Sequence, residues 1–190
     1  MRLIIGMSGA SGVIYGIRLL QVLQQEKGVE THLIMSEAAK LNIGIETDWA
    51  AKDVVAMADA VYSNKDIAAC LASGSFKTDG MIIAPCAIKT LSAVANSYAD
   101  SLLVRAADVV LKERRRLVLV PRETPLHTGH CELMLRASQI GAIIAPPMPA
   151  HYINPQSVDE LVDHHVGRLL DLFELDPGLV KRWPGSRSAN

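Results

Sequence analysis

The stretch Leu3-Ile-Ile-Gly6-Met-Ser-Gly9-Ala-Ser-Gly12 decides the fold. A short apolar run leads directly into a loop with glycine at every third position. Apolar Val13, Ile14, Ile17, Leu20 and Leu23 follow at helical spacing. A strand, a glycine turn and a helix N-terminus in that order turn backbone N–H groups toward an anion, commonly a phosphate. The spacing is not G-x-G-x-x-G, because Ser8 stands where the second glycine of a dinucleotide loop belongs. A Gly-Lys-Ser/Thr triplet is also missing, which argues against a nucleoside triphosphatase loop.

Working outward, apolar runs at 2–6, 31–35, 81–84, 117–120 and 142–145 alternate with helical patterns at 13–25, 37–44, 88–95, 101–112, 129–139 and 157–173. This rhythm predicts an α/β fold, a Rossmann-like (flavodoxin-like) parallel sheet with helices on both faces. One domain is expected over 1–183, with 184–190 as a mobile tail. The apolar content of 49% with only 4% aromatics suits a sheet of Val, Ile, Leu and Ala, with apolar surface left over for subunit contacts. No apolar run approaches the roughly 20 residues that cross a bilayer, and the N-terminus does not resemble a signal peptide. A net charge of −1 gives no electrostatic case for nucleic acid, and Lys112-Glu-Arg-Arg-Arg116 reads as a solvated helix end. Three widely spaced cysteines read as reduced cytosolic thiols, so a cytoplasmic location is expected.

In open parallel sheets ligands bind at the carboxyl ends of the strands. The residues that follow each strand therefore form one candidate rim: Gly9, Ala10 and Ser11; Ser36; Pro85 to Thr90; Pro121 to Thr124; and Pro146 to Tyr152. An acidic residue at the end of the second strand would hold the ribose diol of NAD. Ser36 stands there instead, which favours a mononucleotide, although Ser36 serves equally well as a helix N-cap. Lys89 and Thr90 suit a phosphate or a flavin ring, and Thr90 also suits a cap. Arg122 and Glu123 lie between two prolines just past a strand. They are either a surface ion pair or a phosphate donor beside a proton-transferring carboxyl. His127, His130 and His151 lack the companions of a zinc site, and Gly6-Met-Ser8-Gly-Ala10 lacks the second glycine of a nucleophile elbow.

Taken together, these loops resemble the flavin prenyltransferases of the UbiX type, once described as aromatic-acid or polyprenyl-hydroxybenzoate decarboxylases. The resemblance runs from Met1 to about Trp183. It rests on Gly6-Met-Ser-Gly-Ala-Ser-Gly12, Glu30-Thr-His-Leu-Ile-Met-Ser36, Ser73-Gly-Ser-Phe76, Pro85-Cys-Ala-Ile-Lys-Thr-Leu91, Arg105 to Arg114, Arg122-Glu-Thr-Pro-Leu126 and Pro146-Pro-Met-Pro-Ala-His-Tyr152. It implies FMN as prenyl acceptor, dimethylallyl phosphate as donor, bonds formed at flavin N5 and C6, and no metal. The product would pass to a UbiD-type decarboxylase in ubiquinone biosynthesis or aromatic acid metabolism. By position, Gly9, Ala10, Ser11, Ser36, Ala87, Ile88, Lys89, Thr90 and Arg122 would hold FMN. Lys112, Arg122, Tyr152 and Arg168 would bind the substrate phosphate. Glu123 would exchange a proton with it, and Ser11 and Glu46 would manage the proton at N5. Arg105 would stand at the flavin or a subunit boundary. Ala87 replaces a serine common in such proteins, and His151 replaces an aromatic residue. The family builds its pocket where subunits meet, which implies a homododecamer. The competing expectations are an FMN-dependent cysteine-type decarboxylase, whose Pro-x-Met-Asn segment is missing, and a non-catalytic flavin carrier.

Overall fold

A computed structural model of the chain describes residues 1–185, so 186–190 of the expected tail lie outside the described residues. The chain divides into two compact units, Met1–Pro146 and a second that begins at Pro147.

The first unit runs β1 (Arg2–Met7), α1 (Val13–Leu23), β2 (Glu30–Met35), α2 (Glu37–Glu46), α3 (Ala51–Val55), β3 (Ala60–Ser63), β4 (Gly80–Cys86), α4 (Ile88–Ala95), α5 (Leu102–Lys112), β5 (Arg116–Pro121), α6 (Thr128–Gln139) and β6 (Ile143–Ile144). All strand pairs are parallel, in the order β3-β2-β1-β4-β5-β6. That is the doubly wound Rossmann order, in which the direction of winding reverses between β1 and β4. Gly6 is in register with Ile34 on one side and Ile83 on the other. β1, β2 and β4 are buried almost end to end, as strands covered on both faces must be.

Alternate strand residues serve opposite faces. Ile4, Ile34, Met81, Ile83, Leu117 and Leu119 join Leu91, Leu103, Ala107 and Val110 of α4 and α5 in one core, with Ala137 of α6. α1 contacts β1 and β4, and its Ile17, Leu19 and Leu20 are fully buried. Helices therefore cover both faces, as the alternation of runs predicts.

Two differences from the sequence expectation have simple causes. β3 carries no continuous apolar run: it is a four-residue edge strand whose residues alternate between half-buried and exposed. β6 shrinks to Ile143–Ile144, because only Val118 and Leu119 of β5 pair with it.

In the second unit, α7 (Val158–Asp171) begins at Ser157, whose Oγ accepts the Glu160 N–H at 3.2 Å. Asp159 and Glu160 in its first turn and Arg168 in its last complement the helix dipole. Val162, Val166, Leu169 and Leu170 form its buried stripe. Among the described residues no helix is long and apolar enough to cross a membrane.

Candidate active site

A cavity of about 350 Å³ opens at the carboxyl ends of β1 and β4, where the winding reverses. Its size suits a small-molecule ligand. Ser8, Gly9, Ser36, Ala87, Lys89 and Thr90 line its polar side, and Ala93, Leu103 and Val104 line its apolar side. Five of the nine residues expected to hold FMN thus meet at one place.

The glycine loop is held in shape by α2. Gly12 sits at φ 97°, left-handed backbone that side-chain-bearing residues rarely adopt. Gly9 passes so close to α2 that a Cβ there would collide with the Ala38 Cβ. One turn apart on α2, Asn42 and Glu46 bracket Ser11. The Asn42 amide donates to the Ala10 carbonyl oxygen at 3.1 Å, and Glu46 Oε2 accepts from Gly12 N–H at 2.8 Å and Val13 N–H at 3.2 Å. Glu46 therefore caps α1 through the tertiary structure, beside the Ser11 with which the family resemblance pairs it. Ser11 is exposed.

Ser36 is the N-cap of α2, its Oγ accepting from Ala39 N–H at 3.1 Å, and it lines the cavity as well. At α4 the situation reverses. Ala87 is the N-cap, and no side chain caps the helix. The first N–H groups of α4 are thus left to an external acceptor, beside Lys89 and Thr90. The Ala87 departure leaves these donors with one fewer internal competitor. An anionic flavin phosphate fits this donor set. Lys89 Nζ lies 4.0 Å from Asp100 and its side chain is largely exposed. Ile88 instead packs on the apolar core. Cys86, fully buried, has its thiol pushed up to about 12 by that burial, so it is inert.

Past β5, Arg122 N–H donates to the Cys86 carbonyl oxygen at 3.3 Å, which ties this loop to the start of α4. Arg122 and Glu123 are both exposed, and Glu123 accepts from Thr124 N–H at 3.0 Å rather than pairing with Arg122. The surface ion pair is therefore not formed.

Lys112 is placed elsewhere. It ends α5, whose other end (Ser101, Leu103) meets the cavity, and it pairs with Glu113 beside Gly74. Arg105 binds the Ala72 carbonyl oxygen at 3.2 Å and Asp108 at 2.7 Å, away from the cavity lining. Within the basic run, Arg115 departs from the expected solvated face. Its guanidinium donates to the Gly74 and Phe76 carbonyl oxygens at 2.7 and 2.9 Å and clamps the Ser73–Phe76 loop.

In the second unit, the Tyr152 hydroxyl lies 3.1 Å from His164 Nε2, and its ring meets Trp183 edge-on. Arg168 binds Asp171 at 2.5 Å.

Sequence reasoning missed Ser8, Asn42 and Asn64. Ser8 is 2% exposed and bridges the β1 and β4 loops. Asn64 accepts from Leu102 N–H with its carbonyl oxygen and from Leu103 N–H with its side chain, each at 2.9 Å, so it caps α5. A polar residue just past β3 was the available signal, hidden because β3 itself was not recognised.

Fold and cavity together define a doubly wound α/β protein with a cavity at its switch point whose polar lining suits an anionic mononucleotide. Comparison with known proteins narrows this. The chain belongs to the Flavoprotein family, whose model matches residues 1–170, and within it to the flavin prenyltransferases of the UbiX type. It is 56% identical over 187 residues to flavin prenyltransferase UbiX of Escherichia coli K12, covering 97% of this chain and 99% of that one. The Thauera aromatica enzyme is 55% identical over 186 residues, covering 98% and 95%. A dodecameric FMN-dependent UbiX-like decarboxylase from Escherichia coli O157:H7 superposes with a TM-score of 0.96 at 53% identity, covering 97% and 100%. AnUbiX (PadA1) in complex with FMN and dimethylallyl pyrophosphate gives 0.95 at 50% identity, covering 97% and 98%.

Proposed function

We propose that this chain transfers the dimethylallyl group of dimethylallyl phosphate to N5 and C6 of reduced FMN, releasing inorganic phosphate. The observation that carries the reading is the likeness, at a TM-score of 0.95, to a relative in complex with FMN and dimethylallyl pyrophosphate. The cavity between β1 and β4 supplies the matching donor set.

Reduced FMN, when bound, supplies the nucleophilic N5 and C6. The chain's own residues do the rest. Gly9, Ala10 and Ser36 with the uncapped start of α4 hold FMN, and Arg122 closes the rim. Lys112, Arg122, Tyr152 and Arg168 bind the donor phosphate, in a site that draws on more than one subunit. As the allylic C–O bond breaks, negative charge grows on the leaving phosphate, and these groups stabilise it where it develops. Glu123 exchanges a proton with that phosphate, and Ser11 with Glu46 handles the proton at N5. The apolar wall of Ala93, Leu103 and Val104 helps exclude water.

A homododecamer follows from the same reading, supported by exposed Leu41, Ile45, Tyr98 and Leu135. The product would serve a UbiD-type decarboxylase in ubiquinone biosynthesis or aromatic acid metabolism. Free Cys70, Cys86 and Cys131 support a cytoplasmic location.

Anaerobic incubation with reduced FMN and dimethylallyl phosphate, followed by mass spectrometry of the released flavin, tests the proposal. A gain of one prenyl unit is expected, and an unchanged flavin mass sinks it. A parallel reaction with the pyrophosphate defines the donor.

A further inference from the structure

We infer that His164 is a positioning residue: it donates a hydrogen bond to the Tyr152 oxygen and so directs the Tyr152 hydroxyl proton outward, to the phosphate of the prenyl donor. This rests on the functional reading above, in which Tyr152 binds that phosphate.

The argument begins with one ring. His164 is 6% exposed, with Nε2 3.1 Å from the Tyr152 hydroxyl oxygen. Nδ1 is buried and has no hydrogen-bond partner among the described residues. Burial, followed by the nearby Arg168 charge, holds the His164 pKa below its ordinary value, so the neutral ring carries a single N–H. Two tautomers are then available. With the proton on Nδ1, a buried donor has no acceptor, an arrangement that native structures rarely contain. With the proton on Nε2, only a bare acceptor is left over, and the N–H meets the phenol oxygen. A phenol oxygen that already accepts from histidine keeps its own hydrogen for another acceptor.

The surroundings fix this direction. Tyr152 is held edge-on by His164 and by Trp183, each at a ring separation of 5.6 Å, and the residue as a whole remains half-exposed. Arg168 lies one turn beyond His164, on the same face of α7. Its guanidinium is anchored by Asp171, which Arg182 also binds through both carboxylate oxygens at 3.0 Å. α7 thus carries an anchored cation one turn from the histidine that contacts the Tyr152 hydroxyl, and a cation with a hydroxyl donor is what a phosphate monoester requires.

Solid-state ¹⁵N NMR of the FMN-loaded wild-type protein reads the tautomer directly and needs no variant to fold. A protonated Nε2 with a bare Nδ1 is expected, and the opposite tautomer overturns the inference. Kinetics test the consequence. His164→Leu is expected to raise the KM for dimethylallyl phosphate about tenfold with the KM for FMN unchanged, and His164→Gln, whose amide nitrogen reaches the Nε2 position, to recover most of it. In a Tyr152→Phe background, His164→Leu should add nothing further. Multiplicative effects of the two substitutions, or an unchanged KM in active His164→Leu protein, overturn the role of His164 alone. Wild-type protein that leaves the flavin mass unchanged overturns the functional reading instead.

Discussion

Ser8 and Ala87 are joined across the top of the sheet by a 2.7 Å hydrogen bond, the Ala87 N–H donating to the Ser8 hydroxyl. The same hydroxyl donates to the Pro85 carbonyl oxygen at 3.0 Å, so one buried side chain locks the loop after β1 to the loop after β4. The cavity lies between these loops. Ser8→Ala leaves the Ala87 N–H without its acceptor, at a cost of about 1–3 kcal/mol. Calorimetry should show a fall of roughly 2–4 °C in Tm per kcal/mol for a chain of this size. FMN titration should show weaker binding, since the uncapped start of α4 loses its fixed position. An unchanged affinity would mean that α4 is held by packing alone.

Glu46 makes a different kind of contact. Its carboxylate accepts two N–H groups at the start of α1, a cap supplied from another helix. Glu46→Gln keeps an acceptor oxygen and loses only the charge, about 0.3–1 kcal/mol at a helix N-terminus. Glu46→Ala loses the cap, at about 1–2 kcal/mol. The Gln variant should therefore bind FMN nearly as wild type yet form prenylated flavin at least about tenfold more slowly, because an amide cannot carry the proton. Equal rates in a stopped anaerobic assay would reduce Glu46 to a capping residue.

The parts legible in the sequence are those whose cause is local. β1, its glycine loop and α1 follow from apolar spacing and from Gly12, whose φ of 97° calls for glycine. Ser36 announces itself as a cap by residue type and position. Ser8 does not, because its partners are 77 and 79 residues away and a serine between glycines looks like any loop residue. β3 escaped because an edge strand needs no apolar run, and Asn64 escaped with it. Lys112 shows the opposite limit: the family resemblance points it to phosphate, while only the helix that carries it reveals where in the molecule it stands.

Acidification should destabilise the fold well before the carboxylates titrate. Burial, then the His164 charge, pushes His165 down to about 4 from an ordinary 6.5. Burial also lowers His32, with Glu30 opposing. A base whose folded pKa is depressed takes up its proton first in the unfolded chain, so stability is full above about pH 6.5 and falls toward pH 4. The slope is at most about 1.4 kcal/mol per pH unit for each histidine. Urea midpoints at pH 7.5, 6 and 5 should fall in that order, and His165→Gln should flatten the curve. A midpoint that rises on acidification contradicts the sign.

Lys112 and Arg122 stand at opposite ends of β5. Between them runs β5, six residues long, or about 20 Å at the usual rise. α5 carries Lys112 away from the cavity by a similar distance, since its eleven residues span about 16 Å. A single chain therefore cannot bring the Lys112 ammonium to its own Arg122-Glu123 loop without unfolding one of these elements. If Lys112 binds the donor phosphate, it does so in the site of a neighbouring subunit. Lys112→Ala and Glu123→Gln should each abolish most of the activity on their own. Co-expressed at equal levels, they should form mixed oligomers in which a site draws its Glu123 from one subunit and its Lys112 from another. Random mixing leaves both groups intact in about a quarter of sites, so about a quarter of wild-type activity should return. Activity that stays at the level of the separate variants would mean that Lys112 serves no shared site, and would confine its role to holding Glu113 beside Gly74.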